Sequence, residues 1–190
     1  MTARTTMRSM QTLGLTQYYT ATTLDGFIAD PDSALDWLHG RAQDADGPLS
    51  YGSFVADVGA IAMGATTYEW ILDHAENTWP YDVPCWVFTH RQLPAVPNAT
   101  IELTSEDVVA VHAQMARAAG GRNLWIVGGG DLAGQFADRG LLDEVIVYIA
   151  PVTLGSGAPL LPRRVELHLE ELGRNGEFAC ARYSVVRRPA

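Results

Sequence analysis

Short apolar runs without alternation, separated by stretches of helical periodicity, set the pattern of this chain. Residues 15–24 (LTQYYTATTL) are β-branched and aromatic and read as a strand. Residues 25–30 (DGFIAD) read as a turn and a short extended piece. Further apolar runs at 57–64, 83–90, 99–104, 123–127 and 142–151 also read as strands. Helices are predicted over 31–40, with Asp32 or Ser33 as N-cap, over 65–75 and over 131–140. The clearest helix follows residue 104. Thr104 and Asp107 fit a capping box, Val108, Val111, Met115 and Ala119 share one face, and Gly120-Gly121 stops it. Residues 163–172 and 177–186 alternate around the turn GRNG and read as an antiparallel hairpin.

Strands without alternation, interleaved with helices, mean a mostly parallel sheet covered on both faces. The expected fold is a three-layer α/β/α sandwich with a mixed sheet and a C-terminal antiparallel hairpin. It forms one domain over 15–190 behind a flexible leader, 1–14, whose arginines and threonines include no apolar core of a signal peptide.

Composition narrows the function. The formal net charge of −9 disfavours nucleic acid and anionic membrane as partners. No run approaches the roughly 18 apolar residues that span a bilayer. Cys85 and Cys180 read as buried reduced thiols, consistent with a cytoplasmic protein, and the scattered histidines offer no metal site.

Two segments carry candidate chemistry. In IAMGATTYE a strand ends at Gly64, and Thr66 and Thr67 lie in the first turn of the next helix. In WIVGGGDLAGQF a strand ends at Gly128, Gly129 and Gly130, and a helix follows through Asp131 and Leu132. Free N–H groups and the helix dipole favour an anion at each junction, and glycine lets a phosphate approach the backbone. Two such turns on one sheet suit a dinucleotide diphosphate. The match to G-x-G-x-x-A through Gly128, Gly130 and Ala133 is not a Rossmann fingerprint. It lies late in the chain, and Asp143 comes too early to hold a ribose.

The stretches YYTATTLDGFIAD, IAMGATTYE and WIVGGGDLAGQFADRGLLDEVIVYIAPVTLGSGAPLL resemble, in order and spacing, the dihydrofolate-reductase-like superfamily. The chain is most similar to the reductase domain of bacterial riboflavin biosynthesis and its stand-alone relatives. That resemblance implies the dihydrofolate-reductase fold, NADPH as cofactor, a small-molecule substrate and a homodimer. It carries Gly64 and Thr67 onto the phosphate turn, and Gly128 to Gly130 onto the glycines beside nicotinamide and diphosphate. Thr89, His90 and Arg91 fall where the family meets the adenosine ribose. Ala65 replaces the arginine usual in the folate reductases, so Arg91 becomes the expected partner of a 2′-phosphate.

On the substrate side, TTLDGFIA is similar to the S-L-D-G-x-I-A stretch of the riboflavin reductases, which makes Asp25 the catalytic candidate. Asp36 falls near the folate reductases' pterin-binding acid or reads as an exposed helix acid, and Trp37 reads as a stacking wall of a pocket or as plain core. Glu144 belongs to a recurrent D-E pair and reads equally as a strand-entry residue. Gly155 and Ser156 lie in a loop whose amides suit a phosphate or merely connect to the hairpin. Three functions stay open: reduction of a pyrimidine ribosyl phosphate or related heterocycle, reduction of a folate, or cofactor binding with little turnover. The paired zinc-deaminase signature, H-x-E with P-C-x-x-C, is not met.

Overall fold

The strand expected over 15–24 is β1 (Thr16–Thr23), and it lies near the middle of an eight-stranded sheet. The structure, a computed structural model, describes residues 14–75 and 78–187. The expected leader, apart from Gly14, lies outside them.

The elements then run β2 (Phe27–Ala29), α1 (Tyr51–Ala56), β3 (Val58–Gly64), α2 (Ala65–His74), β4 (Cys85–Phe88), β5 (Ile101–Thr104) and α3 (Val108–Ala119). They continue with β6 (Asn123–Gly128), α4 (Gly130–Asp138), β7 (Glu144–Ala150), β8 (Ala158–Pro159), β9 (Leu167–Asn175) and β10 (Phe178–Val185). Sheet order is β5-β4-β3-β6-β1-β7-β10-β9. The six strands from β5 to β7 are parallel, and β10 pairs antiparallel with both β7 and β9. The expected mixed sheet with a terminal hairpin is therefore present. A separate two-stranded ribbon joins β2 to β8.

Two apolar layers fill the sandwich. On one face Val111 and Met115 of α3 and Ala133 and Phe136 of α4 pack on Tyr18, Ala60, Ala62 and Ile126. On the other, Tyr68 and Ile71 of α2 pack with Tyr19, Ile61, Met63 and Val87, while Phe54 of α1 stacks on Tyr19 at 4.3 Å between ring centroids. Buried strands such as β3 show continuous burial because both faces are covered.

Three local expectations need correction. Residues 31–40 form turns, not a helix. The Asp30 carboxylate accepts from the amides of Asp32 and Ala34, and Ser33 takes a φ of +64°, so local side-chain bonds outcompete the helical ladder. The short helix α1 was not foreseen, and no side chain caps it. At α3 the N-cap is Asp107, whose Oδ1 accepts from the Val109 amide at 2.9 Å. Thr104 instead ends β5 and accepts from the Glu106 amide at 3.1 Å.

The topology places a crevice. The chain leaves β3 through α2 toward β4 on one side, and leaves β6 through α4 toward β7 on the other. Since β3 and β6 are neighbours, the direction of winding reverses between them. Right-handed crossovers in opposite directions put α2 and α4 on opposite faces, and the carboxyl ends of β3 and β6 open between them.

Candidate functional site

Both glycine turns stand at this reversal. Met63 pairs with Gly128 in the β3–β6 ladder, so Gly64 and Gly129 follow side by side on adjacent strands. Gly64 caps α2 with φ −81°, and Gly129 caps α4 with φ −79°. Any residue adopts such angles. A Cβ built on either glycine meets no protein atom within 4 Å. The fold therefore does not require glycine at either cap, and the bare backbone faces open space.

The two flanking glycines differ. A Cβ on Gly128 would lie 2.7 Å from the Thr67 hydroxyl, and one on Gly130 would collide with the carbonyl oxygens of Pro159 and Leu160. These two glycines let α2, α4 and β8 close on one another. The Gly128–Gly129 peptide bond is cis.

At the Gly129 cap and the first turn of α2 lies a cleft of about 380 Å³, which Gly64 itself does not line. Its floor is Thr20, Val127 and the three glycines, and one wall is Thr66, Thr67 and Trp70 of α2. The β2–β8 ribbon roofs it through Ile28, Ala29, Ala158 and Pro159. Asp131 stands at the rim, held by Arg163 at 2.7 Å and Gln135 at 2.9 Å. Those bonds, Gln135 first and then Arg163, hold its carboxyl below the usual carboxylate range. The Leu132 side chain is buried in the core, so only its amide is available to a ligand.

Not every candidate joins this cleft. Thr89, His90 and Arg91 follow β4 at the same end of the sheet, but Arg91 is engaged by Glu69 through two bonds of 2.9 and 2.7 Å. Asp36 is exposed in an adjoining groove, and Trp37 packs against the core of the α2 face. Glu144 lies at the opposite, amino-terminal end of the parallel strands. It is buried there, accepting from Gln17 Nε2 at 2.7 Å and facing Arg182 at 3.4 Å, so strand entry is its place.

Asp25 sits in the turn between β1 and β2, at the carboxyl end of β1 as expected. Its carboxylate accepts from the Thr23 hydroxyl at 2.5 Å, from the Leu154 amide at 3.0 Å and from the Gly155 amide at 2.7 Å. The Thr23 hydroxyl above all, and then the Gly155 and Leu154 amides, hold its carboxyl below the usual range. Asp25 is therefore ionised at neutral pH, accepts from three donors and does not carry a proton to give. It ties the 152–157 loop, and through it β8, to the end of β1. The Gly155 amide is correspondingly committed and does not cradle a phosphate.

The sequence did not single out Trp70, Thr20, Val127 or the ribbon. Trp70 lies three and four residues after Thr67 and Thr66, a helical spacing that puts all three on one face and was readable. The β2–β8 pairing joins residues about 130 apart, and no local signal marks it.

Residues 16–173 match the family of the RibD C-terminal domain, and the chain belongs to that family. Bacillus subtilis YwjB is 31% identical over 172 residues, covering 88% of this chain and 96% of its own. A crystal structure of a Shewanella sp. PV-4 protein named for riboflavin biosynthesis superposes with a TM-score of 0.76 at 26% identity, covering 91% of this chain and 99% of that one. Enterococcus faecalis dihydrofolate reductase, solved with NADP(H), shares the fold alone, with a TM-score of 0.58, 13% identity and coverage of 91% and 97%. The family is one of riboflavin-type reductases on a dihydrofolate-reductase-like fold. Among the described residues no helix is long and apolar enough to cross a membrane, and no cluster of His, Cys, Asp and Glu is arranged to hold a metal.

Two measurements follow from this geometry. Gly64→Ala should leave the thermal midpoint unchanged, because its Cβ enters open space. Gly130→Ala should lower stability by about 1–3 kcal/mol through overpacking against β8, read by chemical denaturation. Equal effects of the two would contradict the contrast drawn between the caps and their neighbours.

Asp25 makes a separate one. Its folded-state pKa lies below its unfolded value, so its stabilising contribution is present above the ordinary carboxylate pKa of about 3.9 and is lost as pH falls through the folded value. At neutral pH, Asp25→Asn should speed hydrogen exchange at the Leu154 and Gly155 amides by on the order of tenfold. Unchanged exchange at both amides would show that the carboxylate does not hold the loop.

Proposed function

We propose that this protein is an NADPH-dependent reductase of a small heterocycle, acting in the cytoplasm. The observation that carries this reading is the open backbone at Gly64 and Gly129. Two helix N-termini on adjacent strands present free amides, and the only space a side chain would fill there is the space a ligand needs. On this reading the first-turn amides of α2 and α4 hold the cofactor diphosphate, with Thr66 and Thr67 adding hydroxyls. The adenosine end runs toward Thr89, His90 and Arg91. Arg91 exchanges Glu69 for a 2′-phosphate at small cost, because an exposed ion pair contributes only about 0–1 kcal/mol. When bound, the dihydronicotinamide supplies a hydride.

The chain's own residues then position and shield. Trp70, Val127 and the ribbon keep water from the reacting face, and Asp25 holds the ribbon in place as a positioning residue. Two buried free thiols, Cys85 pushed up to about 12 by burial, fit a reducing compartment.

The test is fluorescence titration with NADPH. The wild type should bind, and Gly129→Val should weaken binding by roughly tenfold or more, about 1.4 kcal/mol, while remaining folded. Equal affinity in a folded variant would refute the assignment.

The same reading includes a homodimer. β9 is a sheet edge, and it exposes Leu167, Leu169 and Leu172, the last to 68%. Such an edge is normally covered or paired, and a second copy is the occupant we propose. Light scattering at micromolar concentration should report a dimer, and Leu172→Glu should shift it toward monomer. A monomeric wild type would rule this out.

A further inference from the structure

The cleft walls are apolar: Ile28, Leu35, Trp70, Val127, Pro159 and Pro162. Its polar side chains are the hydroxyls of Thr20, Ser33, Thr66 and Thr67 and the rim carboxylate of Asp131. The chain contains no lysine, so every cation other than histidine is an arginine. Among the described residues, no arginine or histidine lines the cleft.

Arg163 approaches the rim, with three of its five N–H donors committed and its charge paired to two carboxylates. Nε donates to Asp138 at 2.9 Å, Nη2 to Asp131 at 2.7 Å and Nη1 to the Pro162 carbonyl at 2.8 Å. In the roof loop the Gly155 amide, one of the two expected to suit a phosphate, is held by Asp25 together with the neighbouring Leu154 amide. The cleft continues past Ser33, Leu35 and Trp70 into a groove of about 310 Å³ that carries four carboxylates, Asp32, Asp36, Glu69 and Asp73, and two histidines, His39 and His74. An anionic substrate would enter an apolar space whose own lining holds no Arg or His, beside a groove in which carboxylates outnumber histidines. Burying an unpaired charge is among the most costly steps a binding site can require.

We propose that the cleft selects an uncharged, unphosphorylated planar ring, so that the substrate is a neutral heterocycle and not a sugar phosphate or a carboxylate. This rests on the reductase reading of the same cleft. On that reading the first-turn amides of α2 and α4 serve the cofactor diphosphate and are not available to a second anion. The volume of about 380 Å³ is at the small end for ligand pockets, and the cofactor on this reading takes part of it, which leaves room for no more than one compact ring system.

Ligand-observed NMR in the presence of NADPH tests the proposal with three matched pairs. These are lumazine and 6-carboxylumazine, pterin and 6-carboxypterin, and uridine and uridine 5′-monophosphate. At least one neutral member should bind, and its acidic counterpart should bind at least about tenfold more weakly. Leu35→Arg, which adds a cation at the junction of cleft and groove, should narrow that gap. Equal or tighter binding of the acidic members overturns the proposal, as does no binding by any neutral ring. A Leu35→Arg variant that is folded by circular dichroism and leaves the gap unchanged also counts against it. NADPH titration without any ring reads the reductase assignment by itself. Failure there, with the neutral-ring preference intact, rejects the reductase reading and not the charge selectivity.

Discussion

The structure depends on one reversal. Between the adjacent strands β3 and β6 the chain changes its direction of winding, so the helices that follow lie on opposite faces of the sheet. A parallel sheet cannot avoid leaving a crevice at such a point, because no crossover closes over it. The Met63–Gly128 pairing then brings the two helix caps level. Position, dipole direction and free amides all follow from that arrangement.

Charge is handled by backbone rather than by cations. The chain is strongly acidic and lacks lysine. Its described arginines near the cleft are paired: Arg163 with Asp131 and Asp138, Arg91 with Glu69. Partial positive charge at helix N-termini contributes typically 0.3–1 kcal/mol per anionic contact. It is directional and costs no burial of an ion. Partial charge placed this way is concentrated at the caps, while the rest of the cleft lining is largely apolar.

The carboxylates illustrate how tertiary context assigns chemistry. Asp25 and Glu144 both read as site candidates, and each makes bonds that hold the fold, in different places. Asp25 reaches the cleft end but spends its acceptors on the Leu154 and Gly155 amides. Glu144 never reaches it, because β7 runs parallel to β1 and Gln17 pairs with Glu144 at the strand start. The ribbon that Asp25 secures is the part of the site most remote in sequence from the glycine turns it covers.

The sequence by itself determined the parallel sheet, the helices α2, α3 and α4, the terminal hairpin and both glycine turns. Each of these is written in local periodicity, and at Gly64 and Gly129 in the absence of a side chain. Local chemistry also misled at residues 31–40, where Asp30 bonds replace a helix whose capping residues and apolar positions are all present. Only the tertiary structure decided which glycines serve the fold and which face open space, since that depends on whether Pro159, Leu160 or Thr67 occupies the space beside each one. It also decided that the roof is a pairing of residues 27–29 with 158–159, and that Asp25 is an anchor. Those features are contacts between segments about 130 residues apart, and no local pattern encodes the neighbour a residue will meet at that distance.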